Sequence, residues 1–134
     1  MRLLLDTHTL LWALLDTKNI PGDLTSLIAD PGHEVFISAV SFWEISLKHA
    51  LGKLKLNKIA PETLIHKAVE SGFDLLPLDP IDAASFAALP KLKHKDPFDR
   101  MLVWQAIRGS YTLVSKDKDM RAYEKVGLRV IWDI

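Results

Sequence analysis

The sequence predicts an α/β domain in which a central parallel sheet is covered by helices on both faces. Short apolar runs of strand length alternate with longer amphipathic segments along the whole chain. The first run, Leu3-Leu4-Leu5, is apolar at every position, as a strand buried on both faces must be. Prolines and glycines fall between the segments, where turns are needed. At 134 residues the chain suits a single domain, residues 1–134, with enough length to bury a core.

Taken in order, Arg2–Leu5 reads as a strand ending at Asp6, and Leu10–Leu15 as a helix broken near Asn19-Ile20-Pro21-Gly22. Leu24–Asp30 is a second helix, stopped by Pro31-Gly32, and Val35–Ile37 a strand of β-branched and aromatic residues. A long helix begins at Ser41. Val40, Trp43, Leu47, Ala50, Leu51 and Leu54 recur at steps of three and four as one apolar stripe, and Gly52 marks the fraying end. Glu62–Ser71 is a helix started after Pro61 and stopped by Gly72. Asp74–Leu78 is a short strand or extended link. Pro80–Leu89 is a helix with Ile81, Ala84, Ala88 and Leu89 on one face, and Pro90–Lys95 a basic loop. Pro97–Arg108 is a helix stopped by Gly109. Tyr111–Val114 is a strand ending at Ser115-Lys116-Asp117, Asp119–Lys125 a short helix, and Arg129–Ile131 the last strand.

Composition narrows the chemistry. There is no cysteine, so disulfides, thiolate metal sites and a cysteine nucleophile are excluded. That fits a cytoplasmic location. The apolar start is interrupted by Asp6 and His8 and makes a poor signal peptide. No run approaches the ~20 apolar residues of a membrane span, so no membrane partner is expected. Seventeen acids balance seventeen bases. This disfavours a large passive nucleic-acid surface, which is usually basic, more than an enzyme whose acids are neutralised by metal.

The acids carry the functional signal. Asp6 follows a buried strand, where open α/β sheets bind ligands, although a turn or helix cap also explains it. Ser41 and Glu44 have capping-box spacing, and Glu44 can also pair with Lys48, yet Glu44 stands in the first turn of a helix that follows a strand. Asp96-Pro97 is the pattern of an N-cap with proline at the first helical position. Asp99 then either completes that box or faces a ligand. Asp99 is favoured as the ligand, with the roles exchanged if Asp96 points inward. Asp117 ends a strand as Asp6 does, between Lys116 and Lys118, which also suits a solvated loop. Each acid has a structural explanation alone. Together, strand ends and the helix starts after them share one edge of such a sheet, so Asp6, Glu44, Asp99 and Asp117 are expected to converge. Four carboxylates so placed repel one another unless a cation intervenes, and an all-oxygen shell suits magnesium or manganese.

The chain resembles the PIN-domain ribonucleases, and among them the VapC-like toxins of bacterial type II toxin–antitoxin pairs. The residues that carry the resemblance are Leu4-Leu5-Asp6-Thr7-His8-Thr9-Leu10-Leu11-Trp12, and Ser41-Phe42-Trp43-Glu44-Ile45 with Gly52-Lys53-Leu54. Further on come His94-Lys95-Asp96-Pro97-Phe98-Asp99-Arg100-Met101-Leu102 and Leu113-Val114-Ser115-Lys116-Asp117. They span almost the whole chain in family order. The resemblance implies a three-layer PIN-like fold and a Mg2+- or Mn2+-dependent endoribonuclease acting on single-stranded or loop RNA. It implies Asp6, Glu44, Asp99 and Asp117 as the acidic quartet, with Thr7 and Ser115 orienting carboxylates or a metal-bound water. It also implies a cognate antitoxin and a homodimer.

In that scheme a metal-bound water attacks phosphorus in line, and the downstream product carries a 5′ phosphate. Arg100 and Lys116 are expected to meet RNA, with Lys118, Lys91, Lys93, Lys95, Lys48, Lys53 and Lys55 nearby. His8 and His94 lie beside the motifs as minor candidates for proton transfer. Trp12, Leu14, Leu15, Trp43 and Trp104 are expected mostly in the core. The first helix, apolar nearly all round, suits either burial or a groove for an antitoxin or dimer contact. The alternatives are a PIN-like RNA-binding or protein-interaction module without catalysis, and a different metal-dependent phosphoesterase. The Asp6-Thr7-His8 spacing invites the second, but no further histidine-bearing motifs follow.

Overall fold

A computed structural model describes residues 1–133. Five parallel strands form one sheet: β1 (Arg2–Leu5), β2 (Glu34–Ser38), β3 (Asp74–Leu76), β4 (Thr112–Val114) and β5 (Arg129–Ile131). Their spatial order is β3-β2-β1-β4-β5. The chain moves outward from β1 through β2 to β3, then returns to place β4 on the other side of β1. The strand order therefore reverses between β1 and β4, and the crevice beyond their carboxyl ends is where such sheets bind ligands. Asp6 follows β1 there, and Ser115-Lys116-Asp117 follows β4.

The helices are α1 (Thr7–Leu15), α2 (Gly22–Ala29), α3 (Ala39–Ala50), α4 (Pro61–Glu70), α5 (Pro80–Ser85) and α6 (Pro97–Gly109), with 3-10 segments at Thr17–Asn19, Phe86–Ala88 and Lys118–Val126. Side chains alternate across the central strand. Leu3 and Leu5 enter one apolar cluster with Leu10, Leu24, Ile45 and Leu64 from α1 to α4. Leu4 enters the other with Leu102, Val103 and Ala106 of α6. This period of two makes the three layers. Two clusters, one on each face, are why the strands read as unbroken apolar runs.

Several boundaries differ from the sequence reading, each for a physical reason. Helix α3 begins at Ala39, and its N-cap is Ser38, whose hydroxyl accepts from the Val40 amide at 3.0 Å. Ser41 is therefore a buried residue inside the helix, the expected Ser41–Glu44 capping box does not form, and Glu44 sits in the second turn with its carboxylate free for other partners. The stripe on α3 also splits. Val40 is buried, but Trp43, Leu47 and Leu51 are exposed, because the inward face of the helix carries Val40, Ser41, Glu44 and Ile45 instead. On α5, Ile81 is exposed, and of the expected face only Leu89, beyond the helix, enters the core. Gly109 is the last residue of α6 rather than the stop beyond it. Ser110 takes the left-handed conformation instead, with φ 57°. A Cβ at Gly109 would run into the Tyr111 ring, so the glycine serves a close approach. In α1, Leu10 is buried, Leu11, Trp12 and Leu14 pack partly against the core, and Leu15 is exposed. Among the described residues, no helix is long and apolar enough to cross a membrane.

Candidate active site

Asp6 caps α1. Its carboxylate accepts from the Thr9 amide at 2.8 Å, and it is hydrogen-bonded to the Ser115 side chain. The Asp6 side chain is buried, and burial pushes its carboxyl above the usual range, opposed by the bonds from Ser115 and Thr9 and by the charge of His8. Ser115 in turn accepts from the Asp117 amide at 3.1 Å. Its hydroxyl thus joins the residue after β1 to the loop after β4.

Thr7 makes the opposite link. Its hydroxyl donates to Glu44 Oε1 at 2.6 Å and lies 3.0 Å from Ser41 Oγ. Glu44 is buried, and its second oxygen accepts from the Lys48 ammonium one turn on. That bond raises the Lys48 pKa against the opposing effect of desolvation, with further support from the charges of Glu44, Asp96 and Asp99. Lys48 is therefore a resident cation facing the acids of two elements.

Asp96 caps α6, accepting from the Phe98 and Asp99 amides at 2.8 and 3.1 Å, with Pro97 in the first turn. Its other duties leave Asp99 outside the cap. Asp99 Oδ2 lies 2.9 Å from His94 Nε2. Burial, first, and then the charge of Asp96 push the Asp99 carboxyl up to about 6, with Glu44 adding to the rise and the His94 hydrogen bond opposing it. Asp117 caps the 3-10 segment through the Asp119 amide, and its Oδ2 is 3.9 Å from His94 Nε2.

The neighbours close a ring. Asp6 contacts Ser115, which holds Asp117; Asp117 approaches His94, which bonds Asp99. Asp99 feels the charge of Glu44, which is tied to Thr7, the residue after Asp6. Within the ring, one ligand atom each from His94, Asp99 and Asp117 lie within 4.8 Å of one another, a spacing that a metal ion can bridge. The oxygen donors fit a hard divalent ion, and His94 adds one imidazole nitrogen. Burial raises both the Asp6 and the Asp99 carboxyls, and at Asp99 the charges of Asp96 and Glu44 add to the rise, a like-charge repulsion that a divalent cation would relieve.

Other expected contributors sit differently. Arg100 has its guanidinium engaged within the protein, donating to the Leu89 and Pro90 carbonyls at 3.2 and 3.3 Å and to the Tyr123 hydroxyl at 3.3 Å. Tyr123 donates to the His94 carbonyl at 3.4 Å, so Arg100 and Tyr123 together hold the loop that carries His94. Lys116 is exposed, with its ammonium 5.8 Å from the Trp12 ring centre. His8 is exposed and tilts against Trp12 at 5.9 Å. Trp43, expected in the core, is 61% exposed, with its ring 5.0 Å from that of Phe98. The place of His94 between two acids was not legible beyond its nearness to the Asp96-Pro97 motif, because a loop and a distant strand end decide it.

Sheet order, switch point and acid-bearing edge together define a three-layer α/β class with a candidate metal site at the carboxyl edge. Residues 3–126 match the PIN domain model, and the chain belongs to the PIN-domain family. Among solved structures, it is similar to VapBC2 from Rickettsia felis bound to a DNA fragment from their promoter, with TM-score 0.67 and 16% identity over 99% of this chain and 100% of that one. It is also similar to DNA-bound VapBC from Salmonella typhimurium, with TM-score 0.63 and 20% identity over 98% and 97% of the two chains. FitAcB from Neisseria gonorrhoeae matches with TM-score 0.62 and 23% identity over 98% and 99%. At these identities the likeness bears on the fold. No curated protein sequence matches the chain.

Proposed function

We propose that this protein is a Mg2+- or Mn2+-dependent endoribonuclease that hydrolyses phosphodiester bonds of single-stranded or loop RNA, as the toxin of a toxin–antitoxin pair. The observation that carries the reading is the cluster of His94, Asp99 and Asp117 ligand atoms at the carboxyl edge, to which Asp6 is linked through Ser115 and Glu44 through its charge on Asp99. Membership of the PIN family supports it, as does likeness to structures whose descriptions name VapBC and FitAcB assemblies. That likeness also favours a protein partner of antitoxin type, and the homodimer rests on the sequence resemblance alone.

In this reading Asp6 and Asp99 are the direct metal ligands, with Glu44 and Asp117 binding directly or through water and His94 as an added donor. The metal supplies a low-pKa water as nucleophile and charge stabilisation at the phosphate. The chain's own residues do the positioning. Thr7 fixes the Glu44 carboxylate, Ser115 fixes Asp6 against the Asp117 loop, and Asp96 holds the start of α6 so that Asp99 faces inward. Lys48 holds the Glu44 charge in the absence of metal. Arg100 acts through the loop of His94, and Lys116 remains available to a phosphate.

The test is cleavage of a single-stranded RNA with Mg2+ or Mn2+, with and without EDTA, comparing wild type with Asp6→Asn and Asp99→Asn. Metal-dependent cleavage giving 5′ phosphates, lost in both variants, is expected. Cleavage that survives EDTA, or products ending in 2′,3′-cyclic phosphate, would overturn the reading.

A further inference from the structure

Beside the acids lies an aromatic feature that metal chemistry does not use. Trp43 and Phe98 are the residues immediately before Glu44 and Asp99. Their rings meet edge to face, with centres 5.0 Å apart and planes at 73°. Such a pair covers at most one face of one ring. Trp43 is accordingly 61% exposed, although an indole is among the side chains that gain most from burial. The pair borders an apolar recess of about 160 Å³, lined also by Val40, Phe86 and Met101. Lys48, whose ammonium bonds Glu44, stands 5.9 Å from the centre of the Phe98 ring. The recess is thus one side chain away from the acid ring, with a cation between them.

We infer that Trp43 and Phe98 form a stacking platform for an unpaired nucleobase next to the phosphate held at the acids; this rests on the ribonuclease reading above. A nucleobase is flat and apolar on its faces and carries its charge on the attached phosphate. The site matches that division, with aromatic rings and an almost wholly apolar recess on one side and the Lys48 ammonium on the other. Base faces in a duplex are covered by their neighbours, so the platform selects single-stranded substrate. Stacking is tolerant of base identity because every base has a π-face, and the recess offers aliphatic and aromatic carbon rather than hydrogen-bonding edges. The platform therefore sets strandedness at that position and leaves the base free.

The test uses a fluorescein-labelled mixed-sequence ten-nucleotide single-stranded RNA. Binding is measured in Mn2+ by fluorescence polarisation on Asp6→Asn protein, which should not cleave it. Adding Trp43→Ala is expected to weaken binding about ten-fold or more, while Trp43→Phe keeps most of the affinity. Binding of the same sequence as a duplex should be unchanged by either substitution. In otherwise wild-type protein, Trp43→Ala should raise KM for cleavage with kcat within about two-fold, since a stacked base contributes to binding rather than to the chemical step. Quenching of tryptophan fluorescence by the RNA, clearly smaller with Trp43→Phe than with Trp43 against the background of the three other tryptophans, gives an independent reading in a variant that keeps an aromatic ring. If Trp43-dependent binding is seen but no protein cleaves RNA, the platform stands and the ribonuclease reading falls. If cleavage is metal-dependent but affinity and KM ignore Trp43, the ribonuclease reading stands and the platform is overturned. Unchanged RNA affinity with loss of a co-purified protein partner assigns the pair to a protein contact and also overturns it.

Discussion

The two ends of the sheet differ in what they enclose. At the amino edge, a cavity of about 550 Å³ is lined by Ala13, Ile20, Ile28, Val35 and Phe73 among others. Its charged residues satisfy each other: His33 lies 3.5 Å from Asp30 and 2.8 Å from the terminal amine. At the carboxyl edge the spaces near the acids are smaller, but Asp6 and Asp99 both have raised pKa values. Size alone points to the first region, and chemistry to the second. The difference follows from topology. A parallel sheet directs every strand end, and the helix start after it, to one edge, so acids that follow strands or open helices in distant segments are brought near one another there.

The largest expected effect sharpens that contrast. Asp6→Asn should lower kcat for RNA cleavage by ~10³ or more, because several kcal/mol of metal-borne stabilisation are lost. Ala29→Leu, which fills part of the other cavity, should leave cleavage within about two-fold in the same assay. If the order were reversed, the amino edge would be the site.

A smaller effect concerns the nitrogen donor. His94→Ala should weaken Mn2+ binding by roughly 10- to 100-fold and Mg2+ binding by less, since imidazole suits the softer ion. Mn2+ paramagnetic resonance titration and calorimetry read this without relying on activity. Equal losses for both ions would mean that His94 only orients Asp99.

Arg100→Met should destabilise the protein by about 1–3 kcal/mol in urea unfolding, because it strips partners from the Leu89 and Pro90 carbonyls and from Tyr123. It should leave the salt dependence of RNA binding unchanged, whereas Lys116→Ala should shallow that slope by about one charge. A shallower slope for Arg100→Met would return it to the RNA surface.

The smallest effect is a pH dependence of the metal-free protein. Asp99 binds its proton more tightly folded than unfolded, with its pKa raised from 3.8 to about 6. Between these values the folded state holds more protons, so this group's contribution to stability falls as pH rises through the window. Asp99→Asn should therefore match wild type below about pH 4 and gain on it up to about pH 6. The full shift is worth about 3 kcal/mol, but partial solvent exposure and loss of the His94 bond to the carboxylate should reduce the gain to about 1 kcal/mol, or roughly 3–5 °C in Tm. Saturating Mn2+ should reverse that advantage by stabilising only the wild type.

Much of this was readable from local pattern. Asp96-Pro97 caps α6 as its residue types require, because an N-cap is decided by one side chain and the amides two and three residues on. The strand-end places of Asp6 and Asp117 followed from apolar runs stopping where they do. Ser38 and Ser41 show where that local logic stops. Both are capping residues three apart, and the choice was made by β2, which pairs with β3 as far as Ser38 opposite Leu76. Trp43 was misplaced for a related reason. Helical spacing defines a stripe but not which part of the helix the rest of the chain covers, and Val40 and Ile45 are the residues it buries.

By itself, then, the sequence determined the alternating elements, the parallel layered class and the placing of Asp6, Asp96 and Asp117 at strand ends and caps, since these depend on periodicity and caps within a few residues. Only the tertiary structure decided which groups those acids face. Thr7 meets Glu44 across 37 positions, and Arg100 and Tyr123 steady His94 beside Asp99 and Asp117. Such partners are set by strand order and packing between segments, and no local spacing in the chain encodes that distance.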